Sequence, residues 1–184
     1  MNIANSPRLR FEMLTQDDAP LLFELDQDPE VMRYINGGKP STMDEITNVI
    51  LPRLNAYTNP EQGWGIWKVT TLSDNATLPS TFIGWILVRP MDFFSDKPKY
   101  HDIELGWRFK KCTWGKGYAT EAARAVSDAI ILQPRVSHIS AVADKDNMAS
   151  INIMQKLGMT YQKVAPYSTP TGEVPVVYYQ KQVR

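Results

Sequence analysis

At Gly63 the hydrophobic period of this chain changes from about 3.6 residues to about 2, and that switch makes it a mixed α/β chain. Ahead of the switch, Arg8-Leu-Arg-Phe-Glu-Met-Leu14 alternates apolar and charged residues as a half-buried strand, and Thr15-Gln-Asp-Asp18 then supplies helix-start chemistry. Pro20 fits within a first turn, which favours Asp17 or Asp18 over Thr15 as the cap, with Leu21, Leu22 and Leu25 as the apolar stripe. Asp28-Pro-Glu-Val-Met-Arg-Tyr-Ile35 predicts a short helix ended by Asn36-Gly-Gly38. Ser41-Thr-Met-Asp-Glu45 offers overlapping capping boxes for a helix with Ile46, Val49, Ile50 and Leu54 on one face, kinked or shortened by Pro52.

Beyond Gly63, Trp64 to Thr71 and Thr81 to Arg89 are rich in β-branched and aromatic residues and read as neighbouring strands joined by the polar loop Ser73 to Ser80. A third strand, His101 to Phe109, puts Ile103, Leu105, Trp107 and Phe109 on a core face and Asp102, Glu104, Gly106 and Arg108 on a face left for chemistry or solvent. After a turn containing Gly115 and Gly117, a helix carries Ala119, Ala122, Ala123, Val126, Ala129 and Ile130 on one side, small enough to pack close to a sheet. Val136 to Asp144 reads as a strand, Asn147 to Leu157 as a helix stopped by Gly158, and Met159 to Val164 and Val174 to Val183 as two last strands. The order is βαα, three strands, α, β, α, ββ, an α/β layer protein with antiparallel strands in its first half.

With 184 residues and no internal repeat or linker, residues 1–184 are expected to form a single domain. Twenty basic residues balance 20 acidic ones, so no global field draws the chain to nucleic acid or to an anionic membrane. The single cysteine, Cys112, excludes an intrachain disulfide, and with His101 and His138 as the only histidines a structural metal is not expected. No apolar run approaches the roughly 18 residues of a membrane span, and no signal-type segment opens the sequence, which fits a cytoplasmic protein.

The strongest chemical signal is Glu104-Leu-Gly-Trp-Arg-Phe-Lys-Lys-Cys-Thr-Trp-Gly-Lys-Gly-Tyr-Ala-Thr-Glu121, a strand that runs through a glycine-containing loop into a helix. Gly115 and Gly117 let backbone N–H groups approach a ligand, and the open amides and dipole at the helix start, around Tyr118, Ala119 and Thr120, would hold a phosphate or pyrophosphate, with Lys116 at the rim. The competing reading is an ordinary strand-to-helix turn. A Rossmann fingerprint fails because Thr120 stands at its third glycine, and no Walker A pattern is present. A second signal is Asp144 to Met159, where Asn147, Ser150 and Met154 share a helix face; Asn147 is equally a simple N-cap and Met154 core.

Together these segments resemble the GNAT superfamily of acetyl-CoA-dependent N-acetyltransferases, in particular its RimJ/RimL-type branch. The resemblance spans Arg8 to about Tyr179 and rests on Arg8-Leu-Arg-Phe, Asp28-Pro-Glu-Val, Phe82-Ile-Gly-Trp, Glu104-Leu-Gly-Trp, Trp114-Gly-Lys-Gly-Tyr-Ala-Thr-Glu-Ala, Asn147-Met-Ala-Ser and Lys156-Leu-Gly-Met. The family's [QR]-x-x-G-x-[GA] phosphate loop maps onto Cys112-Thr-Trp-Gly-Lys-Gly117, with cysteine at the position of Gln or Arg. The resemblance implies a mixed, mostly antiparallel sheet of about seven strands, splayed between two central strands and flanked by helices. It also implies that pantetheine pairs with backbone at Trp107, Arg108 and Phe109, and that Asn147 contacts the cofactor's pantetheine arm. A tyrosine that many members use as general acid falls at Met154, which leaves proton delivery to Ser150 or water.

An amine must shed its proton before it attacks a thioester, so a base is needed, and Glu104 is the candidate because it shares a strand face with Gly106 just ahead of the pantetheine-pairing stretch. The alternative for Glu104 is a solvated or salt-bridged strand carboxylate, with Arg108 as its partner. His101 and His138 lack a serine–acid arrangement, and Cys112 reads as a loop residue with no histidine partner. Trp64, Trp67 and Trp85 belong mainly to sheet core. The expected activity is acetyl transfer from acetyl-CoA to a primary amine, on a small molecule or a protein N-terminus, by a monomer or homodimer; the rival is a non-catalytic acyl-CoA-binding module of the same fold.

Overall fold

The computed structural model describes residues 1–72, 80–169 and 172–184, so the loop read from Ser73 to Ser80 lies, except for Ser80, outside the described residues. Strand β1 (Leu9–Met13) buries Leu9 and Phe11 and exposes Arg10 and Glu12, as its alternation requires. Thr15 and Asp18 share the helix start. Thr15 opens a 3-10 turn (Gln16–Asp18), where its amide donates to the Asp18 carboxylate at 2.8 Å, and Asp18 precedes helix α1 (Ala19–Asp26) with Pro20 in its first turn. Asp28 caps α2 (Pro29–Asn36) by accepting from the Glu30 amide at 2.9 Å, and Gly37 ends that helix at φ 78°, a left-handed conformation suited to glycine.

Thr42 and Glu45 form a capping box at α3 (Met43–Glu45), which continues through a wide π-turn (Ile46–Ile50) into α4 (Leu51–Tyr57). Four α-helices, α1 to α4, thus stand between β1 and the next strand, and the apolar face of the α3 to α4 run differs from the sequence expectation. Ile46, Leu51, Leu54 and Tyr57 are buried, whereas Val49 is 49% exposed. Pro52 has no N–H to return to the preceding turn, and the extra residue of the wide turn rotates Val49 outward and brings Leu51 in.

Strands β2 (Gly65–Thr71), β3 (Phe82–Met91), β4 (Lys99–Phe109), β5 (His138–Ala143), β6 (Thr160–Thr169) and β7 (Gly172–Gln182) join β1 in a seven-stranded mixed sheet of order β1-β2-β3-β4-β5-β7-β6. β1 to β4 are antiparallel neighbours, β4 and β5 are parallel, and β5, β7 and β6 are antiparallel again. The β6–β7 hairpin is longer than its sequence pattern indicates. Pro166 and Pro175 sit opposite each other in its outer arm, beyond the part of β7 that pairs with β5, where a missing N–H interrupts no ladder on the far side.

Helices α5 (Tyr118–Ile130) and α6 (Met148–Lys156) cover one face of the sheet. There Ala122, Ala123, Val126 and Ile130 of α5 are fully buried with Ile86, Val88, Ile103 and Leu105. The alternate residues Ile66, Phe82 and Trp85 face Leu22, Leu25, Ile46, Leu54 and Tyr57 from α1 to α4. Trp67 and Trp85 are core residues, while Trp64 is half-buried and stacks on Tyr100.

The β4–β5 pairing covers three residues: Asp102 opposite His138, Ile103 opposite Ile139 and Glu104 opposite Ser140. β4 continues against β3 as far as Phe109, opposite Gly84, so from Leu105 onward one edge of β4 is paired and the other is open. At the closed end the buried Asp102 carboxylate accepts from Ser140 Oγ at 2.7 Å and Gln180 Nε2 at 2.9 Å, which ties β4, β5 and β7 together.

Gly84 lets β3 approach the end of β4: at φ 156°, a Cβ there would run into the Arg108 carbonyl oxygen and lie 2.8 Å from the Phe109 Cα. Both are backbone atoms and cannot swing aside. A Gly84→Ala variant should therefore lose about 2 kcal/mol or more of stability in urea denaturation with an unchanged m-value, and wild-type stability would show that β3 and β4 can separate there without cost.

Candidate active site

The open edge of β4, Gly106 to Phe109, is where the expected cofactor-pairing residues Trp107, Arg108 and Phe109 fall. Across the opening lies α6, whose N-cap Asn147 accepts from the Ser150 amide at 3.2 Å, and the Trp107 indole N–H donates to Ser150 Oγ at 3.2 Å. Asn147 is thus a cap beside the gap, and Ser150 is brought against β4. Met154 is fully buried and belongs to the core. From the other layer, the Tyr34 hydroxyl of α2 donates to the Asp146 carbonyl just ahead of α6 at 3.2 Å, so the two sides of the splayed sheet are also linked over the opening.

Below the gap, β4 leads through a 3-10 turn (Lys111–Thr113) to the glycine loop. Thr113 Oγ1 donates to the Lys110 carbonyl at 2.7 Å and the Trp114 indole N–H to the Phe109 carbonyl at 2.9 Å, which fix the loop's entrance. Gly115 and Gly117 have φ of 73° and 79°, the left-handed region, and a Cβ on Gly115 would meet nothing within 4 Å. The first backbone bond into α5 runs from the Glu121 amide to the Gly117 carbonyl at 3.0 Å, so the amides of Tyr118, Ala119 and Thr120 precede it at the positive end of the helix. Cys112 and Lys116 are exposed in this loop.

Arg8 is a member of this site that the sequence reading passed over as a strand residue. Its Nε donates to Glu121 Oε2 at 2.7 Å, its amide to Glu121 Oε1 at 3.0 Å, and its Nη1 to the Lys116 carbonyl at 3.1 Å, while the guanidinium lies 4.3 Å over the Tyr118 ring. Ser6 Oγ adds a bond to Glu121 Oε1 at 2.7 Å. Partial burial works against the Glu121 charge, but the bonds from Ser6 and Arg8 and the Arg8 charge outweigh it and hold this carboxyl below its ordinary value. The glycine loop and the first turn of α5 are therefore clamped from the N-terminal segment. In the sequence nothing beyond an arginine just ahead of the first strand and a glutamate in the first turn of α5 marks this pair.

Glu104 lies on the opposite face of β4, 4% exposed, and its partner is Arg89 rather than Arg108. Arg89 Nε donates to Glu104 Oε2 at 2.8 Å; the Tyr167 hydroxyl donates to Oε1 and accepts from Arg89 Nη2. Arg108 reaches instead to the buried Asp26 of α1. The reason is strand register: Arg89 is directly opposite Glu104 on β3, whereas Arg108 is four residues along β4 beneath α1. Burial opposes the Arg89 charge, but Glu104 more than compensates and raises it above the ordinary arginine value. Burial, then the Glu104 charge, pushes the Tyr167 hydroxyl well above the usual tyrosine value, so it stays a proton donor. The Arg108 Nε and the Trp85 indole N–H have no partner among the described residues and leave two buried donors near the open stretch.

His101 and His138 face each other with ring centroids 6.3 Å apart, away from Glu104's hydrogen bonds. A cavity of about 310 Å³ bordered by Trp64, Tyr100 and Arg135 adjoins the other end of β4 from the gap and holds none of these groups. Among the described residues no cluster of metal-ligating side chains occurs, and no helix is long and apolar enough to cross a membrane.

A family model described as an acetyltransferase (GNAT) domain matches residues 8–160. The uncharacterized protein YkkB of Bacillus subtilis (strain 168) is 30% identical over 157 residues, spanning 85% of this chain and 84% of its own length. FsC-acetyl coenzyme A-N(2)-transacetylase of Aspergillus fumigatus is 27% identical over 170 residues, 90% of this chain and 69% of that one. The crystal structure of a GNAT-family acetyltransferase from Bacillus anthracis has a TM-score of 0.74 at 23% identity, covering 100% of this chain and 99% of the other. RimL, a ribosomal L7/L12 α-N-protein acetyltransferase, has a TM-score of 0.72 at 11% identity, covering 98% and 97%. At those identities the two structural likenesses are of fold.

The Arg8–Glu121 clamp carries a pH signature. A carboxyl held below its unfolded value contributes stability above that value and loses it as pH falls through the folded one. Glu121→Gln should cost about 1 kcal/mol near neutral pH, since Arg8 is partly exposed, and the gap between the two melting curves should close in acid. A gap that persists unchanged to pH 3 would mean the charge on Glu121 is immaterial.

Proposed function

The chain belongs to the GNAT acetyltransferase family, and on that premise we propose that it moves an acetyl group from acetyl-CoA to a primary amine, on a small molecule or a protein N-terminus, by direct attack on the thioester. The observation that carries this reading is the three-residue β4–β5 pairing, which leaves an unpaired strand edge between an open helix N-terminus on one face and the buried Glu104 carboxylate, with Arg89 and Tyr167, on the other. The name of the FsC relative describes a transfer of the same class.

The residues present fit the cofactor. The space above Gly115 and the leading amides of α5 would take the pyrophosphate, with Lys116 at the rim and Arg8 behind the loop. The backbone of Trp107 to Phe109 would pair with pantetheine in place of a strand, and Asn147 and Ser150 border it from α6. Bound there, acetyl-CoA supplies an activated acyl group. On the far face Tyr167 is placed to receive the amine's proton as its own passes to Glu104, with Arg89 holding both oxygens in line. Backbone N–H groups near Trp107 would steady the oxyanion that forms as the amine adds. Ser150 accepts from Trp107 through oxygen, so its hydroxyl hydrogen is free to go to the departing thiolate, whose thiol pKa of roughly 8.5 asks for little help. That assignment replaces the tyrosine that Met154 displaces.

Turnover is tested by incubating the chain with acetyl-CoA and a panel of amines and following free thiol; acetyl-CoA binding without thiol release on any of them would leave a binding module instead. Gly117→Val puts a branched side chain at a left-handed position against the cradle, and acetyl-CoA affinity measured by calorimetry should fall about tenfold, or about 1.4 kcal/mol. Unchanged affinity would place the pyrophosphate elsewhere.

Glu104→Gln should lower kcat/KM by about 10² per folded molecule, with partial recovery as pH rises toward the amine's own pKa, because more acceptor then arrives neutral. The variant also leaves the buried Arg89 charge unpaired, so stability should drop by about 3 kcal/mol. A loss of stability with normal turnover across pH 6 to 9 would reduce Glu104 to a structural ion pair.

A further inference from the structure

The acceptor end of the site has a charge that the transfer itself does not use. Arg53, on α4, lies with its Cζ 3.6 Å from the centre of the Phe94 ring. Arg89 lies over the same ring at 5.6 Å and over Tyr57 at 5.5 Å, and Tyr57, Phe93 and Phe94 pack edge to face. Arg53 therefore shares an aromatic cluster with the arginine that holds Glu104 and Tyr167. Among the described residues no carboxylate lies within ion-pair distance of Arg53.

We propose that the acceptor carries a carboxylate as well as its amine, and that Arg53 receives that carboxylate while Glu104 and Tyr167 handle the amine. The inference rests on the acetyl-transfer reading and names the acceptor class for the same site. Its first support is a local charge count: Arg53 and Arg89 set two positive charges against the single charge of Glu104. Beside the aromatic cluster Asp92 is matched by Lys99, and nearer the sheet Asp26 is matched by Arg108, Glu24 by Lys110 and Asp18 by Lys68, while Asp28 and Glu45 are taken up in helix caps. A polycationic acceptor would meet no surplus acid near the aromatic cluster and would be repelled by the surplus guanidinium; a carboxylate makes the count neutral.

The second support is geometric. Stacking on Phe94 fixes the plane of the Arg53 guanidinium and leaves its N–H edge to meet a carboxylate with two parallel bonds, which a mobile lysine would not do. Burial and then the neighbouring Arg89 charge both lower the Arg53 proton affinity from its ordinary value, while Tyr167, Tyr57 and Glu104 offset part of this. An anion delivered by the acceptor would act in the same sense as those three at the moment of binding.

The test compares acceptors that differ only in charge: a straight-chain ω-amino acid, its amide and the diamine of the same length, together with short peptides bearing Asp or Asn after the N-terminal residue. Wild type should prefer the carboxylate over the amide by about tenfold or more in kcat/KM, chiefly through KM. In Arg53→Gln the ratio should fall toward one, and Arg53→Lys should keep part of it. Ratios within one preparation are independent of how much of it is folded, so a destabilised variant still reads out. A preference for Asp over Asn peptides exceeding that for the amino acid would place the carboxylate on a peptide, and the reverse would place it on a small molecule; both support the Arg53 assignment. Best turnover of the diamine, or an unchanged ratio in Arg53→Gln, would overturn it and leave the transferase reading standing. No thiol release with any acceptor, despite bound acetyl-CoA, would overturn both.

Discussion

Everything in this molecule that bears on chemistry depends on how far β4 and β5 stay together. Their pairing ends after Glu104, and the side chains at the closed end are built to hold that short contact: Asp102 is satisfied by Ser140 and Gln180, one from each of the next two strands. A parallel pair of three residues is a weak ladder by itself. The buried, fully bonded carboxylate makes its register specific, because a shift of one residue would send Asp102 to the apolar face beneath α5 and strand its charge. Beyond that point the opening is bridged by side chains, Trp107 to Ser150 and Tyr34 to the Asp146 backbone, which leave the strand edge itself free.

Charge is distributed by the same logic. The chain is neutral overall, and its carboxylates near the sheet are answered locally, by strand register for Glu104 and Arg89 and by helix packing for Asp26 and Arg108. Buried pairs of this kind contribute little net stability relative to apolar residues of equal volume, since desolvation consumes most of the attraction. What they do supply is orientation. Glu104 cannot rotate without losing both Arg89 and Tyr167, so the groups proposed to handle the proton are fixed before any acceptor arrives.

Much of this was legible in the residues. The alternation of β4 and the small face of α5 place the strand, the loop and the helix start, because each is a local property of spacing. Asn147 is readable as a cap for the same reason. The partner of Glu104 was not: a sequence shows which residues share a strand face but not which residue of the next strand stands opposite, and Arg89 is chosen by the β3–β4 register. Val49 was misassigned because one extra residue in the π-turn shifts the helical phase, and no propensity signals that ahead of Pro52. Tyr167 lies in a hairpin arm whose two prolines mask its strand character, and Arg8 reaches Glu121 at the start of α5 across 113 residues of sequence.

That long span lets the Arg8–Glu121 clamp couple two distant parts of the chain. Its two halves are held by separate parts of the sheet, Arg8 by the β1–β2 pairing and Glu121 by the packing of α5, so the contact that steadies the loop shares its closure entropy with those two. Coupling then runs in both directions. Because Leu9 and Phe11 anchor β1 in the core while Arg8 just ahead of it holds the glycine loop, a ligand bound at that loop would also tie down the edge of the sheet.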